Sequence, residues 1–156
     1  PLINAAAIEK VDALVADAVA HGGEVLCGGA HADAGPLFYQ PTVLGGVSPE
    51  AKLMQEEIFG PVAPLVRFET DDEAIALAND TPFGLAAYLF SQNLARAWRV
   101  AERLETGMVG VNEGIVSNEV VPFGGVKMSG LGREGAAEGL DEYLETKYIC
   151  LGGIAD

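Results

Sequence analysis

Cationic side chains are scarce in this chain: 9 Lys and Arg stand against 23 Asp and Glu, a formal charge of −14 over 156 residues. No basic stretch is segregated from the acidic ones, so phosphate backbones are repelled and no nucleic-acid partner is expected. Long apolar runs are missing too. The longest reach about half of the roughly 20 residues that a bilayer-spanning helix needs, and no charged-then-apolar leader opens the chain. The expectation is a soluble, cytoplasmic protein with no membrane partner. Cysteine is limited to Cys27 in "VLCGG" and Cys150 in "YICLGG". These are too few for a disulfide framework, and their apolar settings predict reduced, packed thiols. Lys147, the one basic group near either thiol, is three residues from Cys150 and on the opposite face of a strand, so neither cysteine has an activating partner. H-E-x-x-H, C-x-x-C and phosphate-loop signatures are absent. His21, Cys27 and His31 offer metal donors at no usual spacing and without a fourth ligand, and no metal site is expected.

What is present is enough apolar sequence, 49%, to build a core in a chain of one-domain length. Apolar residues at Ile8, Val11, Leu14, Val15, Ala18 and Val19 predict an amphipathic helix ended by Gly22 and Gly23. "EVLC" and "FYQPTVL" predict strands, and "PEAKLMQEEIFG" a short helix from Pro49. The pattern then alternates. "VAPLVRF" reads as a strand, Thr70 and Glu73 as a capping box for the helix "DDEAIALAN", and "LAAYLF" as a strand. "LARAWRVAERLETG" reads as a helix with Leu94, Trp98, Ala101 and Leu104 inward and Gly107 as its stop, and "MVGVN" as another strand. Strands alternating with helices point to parallel βαβ units with right-handed crossovers.

Gly130 to Gly135, "GLGREG", has the G-x-G-x-x-G spacing of a pyrophosphate-binding turn. The helix that the fingerprint needs is predicted by Ala136, Leu140, Tyr143 and Leu144 on one face. The strand before it is not, since "PFGGVKMS" carries two glycines and a lysine. After the helix only "KYICLGGIAD" remains, with no second strand to offer a ribose-binding acid. The stretch reads as a glycine-rich loop bending into a helix.

Three other stretches are too rich in Gly, Pro and Phe for ordinary loops: "EEIFGPV" (56–62), "NDTPFGLAA" (79–87) and "PFGGVKMSGLGRE" (122–134). In this order and at these separations they resemble the aldehyde dehydrogenase superfamily. The resemblance runs over nearly the whole chain, from "PLI" to "YLETKYICLGG". Within the superfamily, "GIVSNEVVPFGG" and the closing sequence look most like the succinate-semialdehyde dehydrogenase branch, with glutarate-semialdehyde enzymes close.

The resemblance implies an α/β fold, a partial parallel sheet with flanking helices. Residues 1–146 would be the C-terminal portion of the catalytic domain, 147–153 an oligomerisation strand of a homo-oligomer, and 154–156 a tail. Superfamily members attack the aldehyde with a cysteine thiolate, pass a hydride to NAD or NADP, and hydrolyse the thioester with water activated by a glutamate. By resemblance, that nucleophile, the glutamate, the oxyanion-hole asparagine and the main cofactor domain lie upstream of Pro1. No catalytic residue is expected in this chain, which alone should be inactive. The resemblance gives Glu57 to the nicotinamide ribose hydroxyls and Phe59 to the same ribose and nicotinamide as an apolar wall. It gives Ser117 to the far carboxylate of a semialdehyde substrate, with arginines from elsewhere, and Phe123 to the substrate channel. Read alone, Glu57 is an exposed helix residue, Ser117 a loop serine with a local turn bond, and Phe123 a core residue. The competing reading of the chain is a noncatalytic module associating through the edge of "KYICL".

Overall fold

Asn4 starts the first helix. Its side chain accepts the Ala7 N–H at 2.9 Å and satisfies one of the free amides of α1 (Ala5–Ala20). Ile8, Val11, Leu14, Val15 and Ala18 are buried along one stripe, as their spacing predicts. Val19 is not; it lies 45% exposed at the edge of the stripe. The helix ends at His21, and Gly22 follows in the left-handed region.

The computed structural model describes residues 1–153 and divides into two compact units, Pro1–Thr81 and Pro82–Asp156, where length alone suggests one domain. In the first unit, β1 (Glu24–Cys27) pairs antiparallel with β2 (Thr42–Gly45), which pairs parallel with β3 (Val62–Pro64). β2 is shorter than "FYQPTVL" predicts, because Pro41 has no N–H for a ladder. Tyr39 instead forms an isolated bridge with His31. α1 closes over Tyr39, Leu44, Val47, Ala51 and Leu53 to make the core.

The helix predicted from Pro49 is reduced to a 3-10 turn at Lys52–Met54. Two long-range demands override local propensity: Ala51 and Leu53 are both drawn into the core, and Asp17 Oδ2 on α1 accepts the Lys52 N–H at 2.8 Å. α2 (Asp71–Asn79) has the predicted cap. Thr70 Oγ1 accepts the Glu73 N–H at 3.2 Å, while the Glu73 carboxylate accepts from the Glu69 N–H at 2.7 Å, one residue before the cap.

In the second unit, β4 (Phe83–Gly84) pairs antiparallel with β7 (Val126–Lys127), and β5 (Ala86–Leu89) pairs parallel with β6 (Met108–Val111). α3 (Leu94–Ala101) forms the β5-to-β6 crossover, the predicted parallel βαβ unit. Parallel pairing is present in two small sheets rather than one continuous one. α3 departs from its prediction: it stops at Ala101, only Ala97 is buried, and Leu94 and Trp98 are 77% and 66% exposed. A two-strand pair about 5 Å wide is too narrow to cover the apolar stripe of a helix roughly 10 Å across. Gly107 is not a helix stop. It lets the backbone approach Gly124, whose carbonyl a Cβ there would strike.

The α-helix predicted after Gly135 is a 3-10 helix at Glu138–Tyr143, with Leu140, Tyr143 and Leu144 at least 65% exposed. Both cysteines are exposed rather than packed. Cys27 lies on β1, whose four residues all face solvent, and Cys150 lies in the exposed closing segment. Residues 147–153 have no strand assignment within the single chain, and the 154–156 tail lies outside the described residues. No helix among the described residues is long and apolar enough to cross a membrane.

Candidate functional site

Each unit carries one loop with two of the four candidate side chains. In the first unit the loop joins the 3-10 turn to β3. Ile58 packs against the core, so its neighbours Glu57 and Phe59 face outward, Phe59 with 78% of its surface exposed. Phe59 has φ 47°, a left-handed conformation that costs a bulky residue about 1–3 kcal/mol and persists only where neighbours enforce it. α1 supplies those neighbours. Lys10 Nζ donates to the Glu57 carbonyl at 2.6 Å, and Gly60 lies so close to the helix that a Cβ there would sit 2.5 Å from Val11 Cγ2. The Phe59 ring shares a shallow apolar cavity with Leu2, Ile3 and Ala7. Glu57 is thus a loop residue, and its side chain makes no hydrogen bond among the described residues. Its two acceptor oxygens suit a vicinal diol, and the adjacent ring suits an aromatic or sugar face, so this acceptor pair and ring fit the nicotinamide ribose.

In the second unit the loop leaves β6 at Asn112, which has φ 55°. The Asn112 amide clips both backbone groups of Ser91: Oδ1 accepts the Ser91 N–H and Nδ2 donates to the Ser91 carbonyl, each at 2.8 Å. Side-chain bonds then replace a ladder. Glu113 Oε1 accepts the Gly114 and Ile115 N–H groups at 2.8 and 3.2 Å, and Asn118 Oδ1 accepts the Val120 N–H at 3.0 Å. Phe123 and Glu134 exchange two backbone bonds of 2.7 Å, and the Ala136 N–H reaches the Glu119 carbonyl at 3.1 Å.

This folding brings Ser117 and Phe123 onto one open cavity of about 490 Å³, shared with Asn118, Glu119, Glu134 and Gly135. Ser117 makes no local turn bond among the described residues; its hydroxyl is exposed at the cavity. Phe123 is half-buried rather than core, with one side on this cavity and the other on a larger space under the glycine-rich loop. The local charge is negative. The adjacent Arg133 guanidinium is turned away and used structurally, its Nη1 donating to the Gly125 and Gly132 carbonyls at 2.7 Å each.

The G-x-G-x-x-G stretch holds a carboxylate of its own. Gly130, Gly132 and Gly135 all have positive φ, and Gly132 backs onto Glu142, where a Cβ would lie 2.8 Å from Oε2. The Arg133 N–H donates to Glu142 Oε1 at 3.3 Å. With an acid at the turn, a 3-10 helix rather than an α-helix after it and only the two-residue β7 before it, the geometry is a packing loop rather than a pyrophosphate site.

The candidate metal donors are engaged separately: His31 Nε2 lies 2.6 Å from Asp12 Oδ2, and His21 Nδ1 lies 2.8 Å from the Asp17 carbonyl. Tyr39 packs beside His31 with its hydroxyl buried and outside hydrogen-bonding geometry. Burial, with the nearby Asp12 carboxylate adding to it, pushes the phenol up to about 12.

Sequence reasoning missed Lys10 and Asn112. Lys10 has no local signal, since its partner is 47 residues away. Asn112 had one, an asparagine closing a strand, the residue type that tolerates a left-handed turn.

The sequence pattern of the Aldehyde dehydrogenase family matches residues 1–149. Over 154 residues, 99% of this chain, the sequence is 58% identical to the mitochondrial succinate-semialdehyde dehydrogenase of Oryza sativa subsp. japonica, of which it covers 29%. It is 54% identical to the glutarate-semialdehyde dehydrogenase of Pseudomonas aeruginosa, again over 99% of this chain and 32% of that protein. The crystal structure of succinate-semialdehyde dehydrogenase from Burkholderia pseudomallei superposes with a TM-score of 0.93 at 56% identity, covering 98% of this chain and 32% of that one. Betaine aldehyde dehydrogenase from Staphylococcus aureus, solved with NAD+, superposes with a TM-score of 0.88 at 40% identity, over 96% of this chain and 30% of that one. The chain therefore spans about a third of the length of the proteins it matches.

Proposed function

The chain belongs to the aldehyde dehydrogenase family, and on that premise we propose that it forms part of an NAD(P)-dependent dehydrogenase that oxidises succinic semialdehyde. The observation that carries the substrate reading is the pairing of an unbonded Ser117 hydroxyl with the Phe123 ring on one cavity, in a chain so similar to succinate-semialdehyde dehydrogenases. Ser117 donates a hydrogen bond to the carboxylate at the far end of the substrate, and Phe123 walls its methylene chain. Glu119 and Glu134 oppose an anion there and Arg133 is committed to backbone carbonyls, so the balancing positive charge comes from the rest of the protein.

A bound NAD(P)+ would supply the hydride acceptor for the oxidation. This chain's share of holding it falls to Glu57, which accepts from the ribose hydroxyls, and Phe59, which walls the same group. The reactive cysteine and its water-activating glutamate belong to the remaining length, the site works in a homo-oligomer, and the proposed location is cytoplasmic.

The similarity to a glutarate-semialdehyde dehydrogenase supports a second substrate one methylene longer. A single methylene separates substrates by only about 10–200-fold, so both compounds fit one site to different degrees. In the full-length protein, Ser117→Ala should lower kcat/KM for succinic semialdehyde about ten-fold and leave a neutral aldehyde of equal length nearly unchanged. Equal slowing of both aldehydes would mean that the serine holds the loop rather than reads the substrate.

A further inference from the structure

The cavity that Ser117 and Phe123 share is lined by two acids, Glu119 and Glu134, and by no basic side chain. The acids differ in what else they border. Glu134 also lines the space under the glycine-rich loop, and its backbone exchanges two bonds with Phe123, whereas Glu119 is absent from that second lining. Glu119 stands two residues beyond Ser117, and the fold uses only its backbone. Its carbonyl accepts the Ala136 N–H at 3.1 Å, while its exposed carboxylate makes no hydrogen bond or ion pair among the described residues. Its neighbours do not neutralise it. Asn118 is uncharged and accepts the Val120 N–H, and Arg133 turns its Nη1 to the Gly125 and Gly132 carbonyls. A carboxylate without a counter-charge acts on a bound group through its field, attracting a cation and repelling an anion without touching either.

We propose that Glu119 sets the charge selectivity of this site: its carboxylate weakens the hold on an aldehyde with an anionic tail and favours one with a cationic tail of the same length. The proposal rests on the reading of Ser117 and Phe123 as the groups that hold the tail. Ser117 supplies a directional bond to a carboxylate, and Glu119 limits how tightly that carboxylate is kept. The dicarboxylate product has the same tail, so the same repulsion favours its departure.

The test uses the full-length protein with Glu119→Gln, Glu119→Asp and Ser117→Ala, and three aldehydes of matched length: succinic semialdehyde, a neutral aldehyde and one ending in a trimethylammonium group. Each kcat/KM is expressed as a ratio to that of the neutral aldehyde in the same variant, at low and at high salt, with the inhibition constant of succinate measured beside them. Glu119→Gln should raise the anionic ratio by about two- to five-fold, lower the cationic ratio by a similar factor and tighten succinate. Both changes should shrink at about 1 M salt, where charges are screened beyond about 3 Å. Glu119→Asp, which keeps the charge, should stay near wild type. Ratios that move in the same direction, that do not move, or that ignore salt overturn the proposal. If Ser117→Ala lowers the anionic ratio and Glu119→Gln moves neither, the reading of Ser117 stands and only the role of Glu119 falls. If Glu119→Gln moves the two ratios apart and Ser117→Ala changes nothing, the charge selectivity stands and the role of Ser117 falls.

Discussion

Glu57 and Ser117 share a property: neither side chain makes a hydrogen bond among the described residues. Glu113, Asn118 and Glu142 all accept backbone N–H groups in their loops. Glu57→Gln in the full-length protein keeps the size and removes the charge, so on the proposed role the ribose hydroxyls would lose a charge-assisted acceptor worth about 1.5–3 kcal/mol. Cofactor binding or hydride transfer should weaken while the preference among aldehydes stays the same, as paired titrations and steady-state rates would show. Tyr39 belongs to stability instead. Its phenol ionises near 10 when unfolded and about 12 when folded, so above pH 10 the unfolded state loses its proton first. Its contribution is whole below pH 10 and falls by about 1.4 kcal/mol per unit as the pH rises toward 12. Urea unfolding of Tyr39→Phe should show a flatter decline over that window than wild type; parallel curves would mean that the buried hydroxyl is not the cause. At this scale the sequence marks residue types but not their freedom. Nothing around Glu57 distinguishes it from Glu56, and only the family resemblance singled it out.

Elements were legible where their causes are local. The stripe of α1, the Thr70 cap of α2 and the β5–α3–β6 crossover all follow from spacing within one segment. The Pro49 segment was not legible, because Asp17, some 35 residues earlier, accepts the first amide of its turn. The outward face of α3 was missed for a related reason: periodicity shows that a stripe exists, not whether a sheet beneath is wide enough to cover it. The closing segment from Lys147 to Leu151 poses the same question. Tyr148, Ile149 and Leu151 are each at least 69% exposed, an apolar run whose backbone has no ladder among the described residues. It should become a strand by pairing with another subunit. Slow amide exchange over these residues, together with an oligomer by light scattering in the full-length protein, is the expected result. A strict monomer with freely exchanging amides would contradict it.

At the scale of the molecule, the described surface carries many large apolar side chains. Leu94, Trp98, Ile115, Leu131 and Tyr143 are each at least 66% exposed, and isolated large side chains are ordinary on a surface but so many together mark surfaces that pack against something. On the proposed function, the remaining two thirds of the length seen in the relatives would supply that cover and the nucleophilic cysteine. The 156-residue chain should therefore oxidise no aldehyde with either cofactor; turnover surviving Cys27→Ala and Cys150→Ala would place the nucleophile wrongly. The central claim, that this chain shapes a site for an aldehyde bearing a distal carboxylate, is tested most directly by kcat/KM of the full-length protein. Succinic semialdehyde, glutaric semialdehyde and a neutral aldehyde of matched length would be compared with NAD+ and with NADP+. Both semialdehydes should exceed the neutral compound by about ten-fold or more, with succinic semialdehyde first. Equal values for charged and neutral aldehydes would contradict the account.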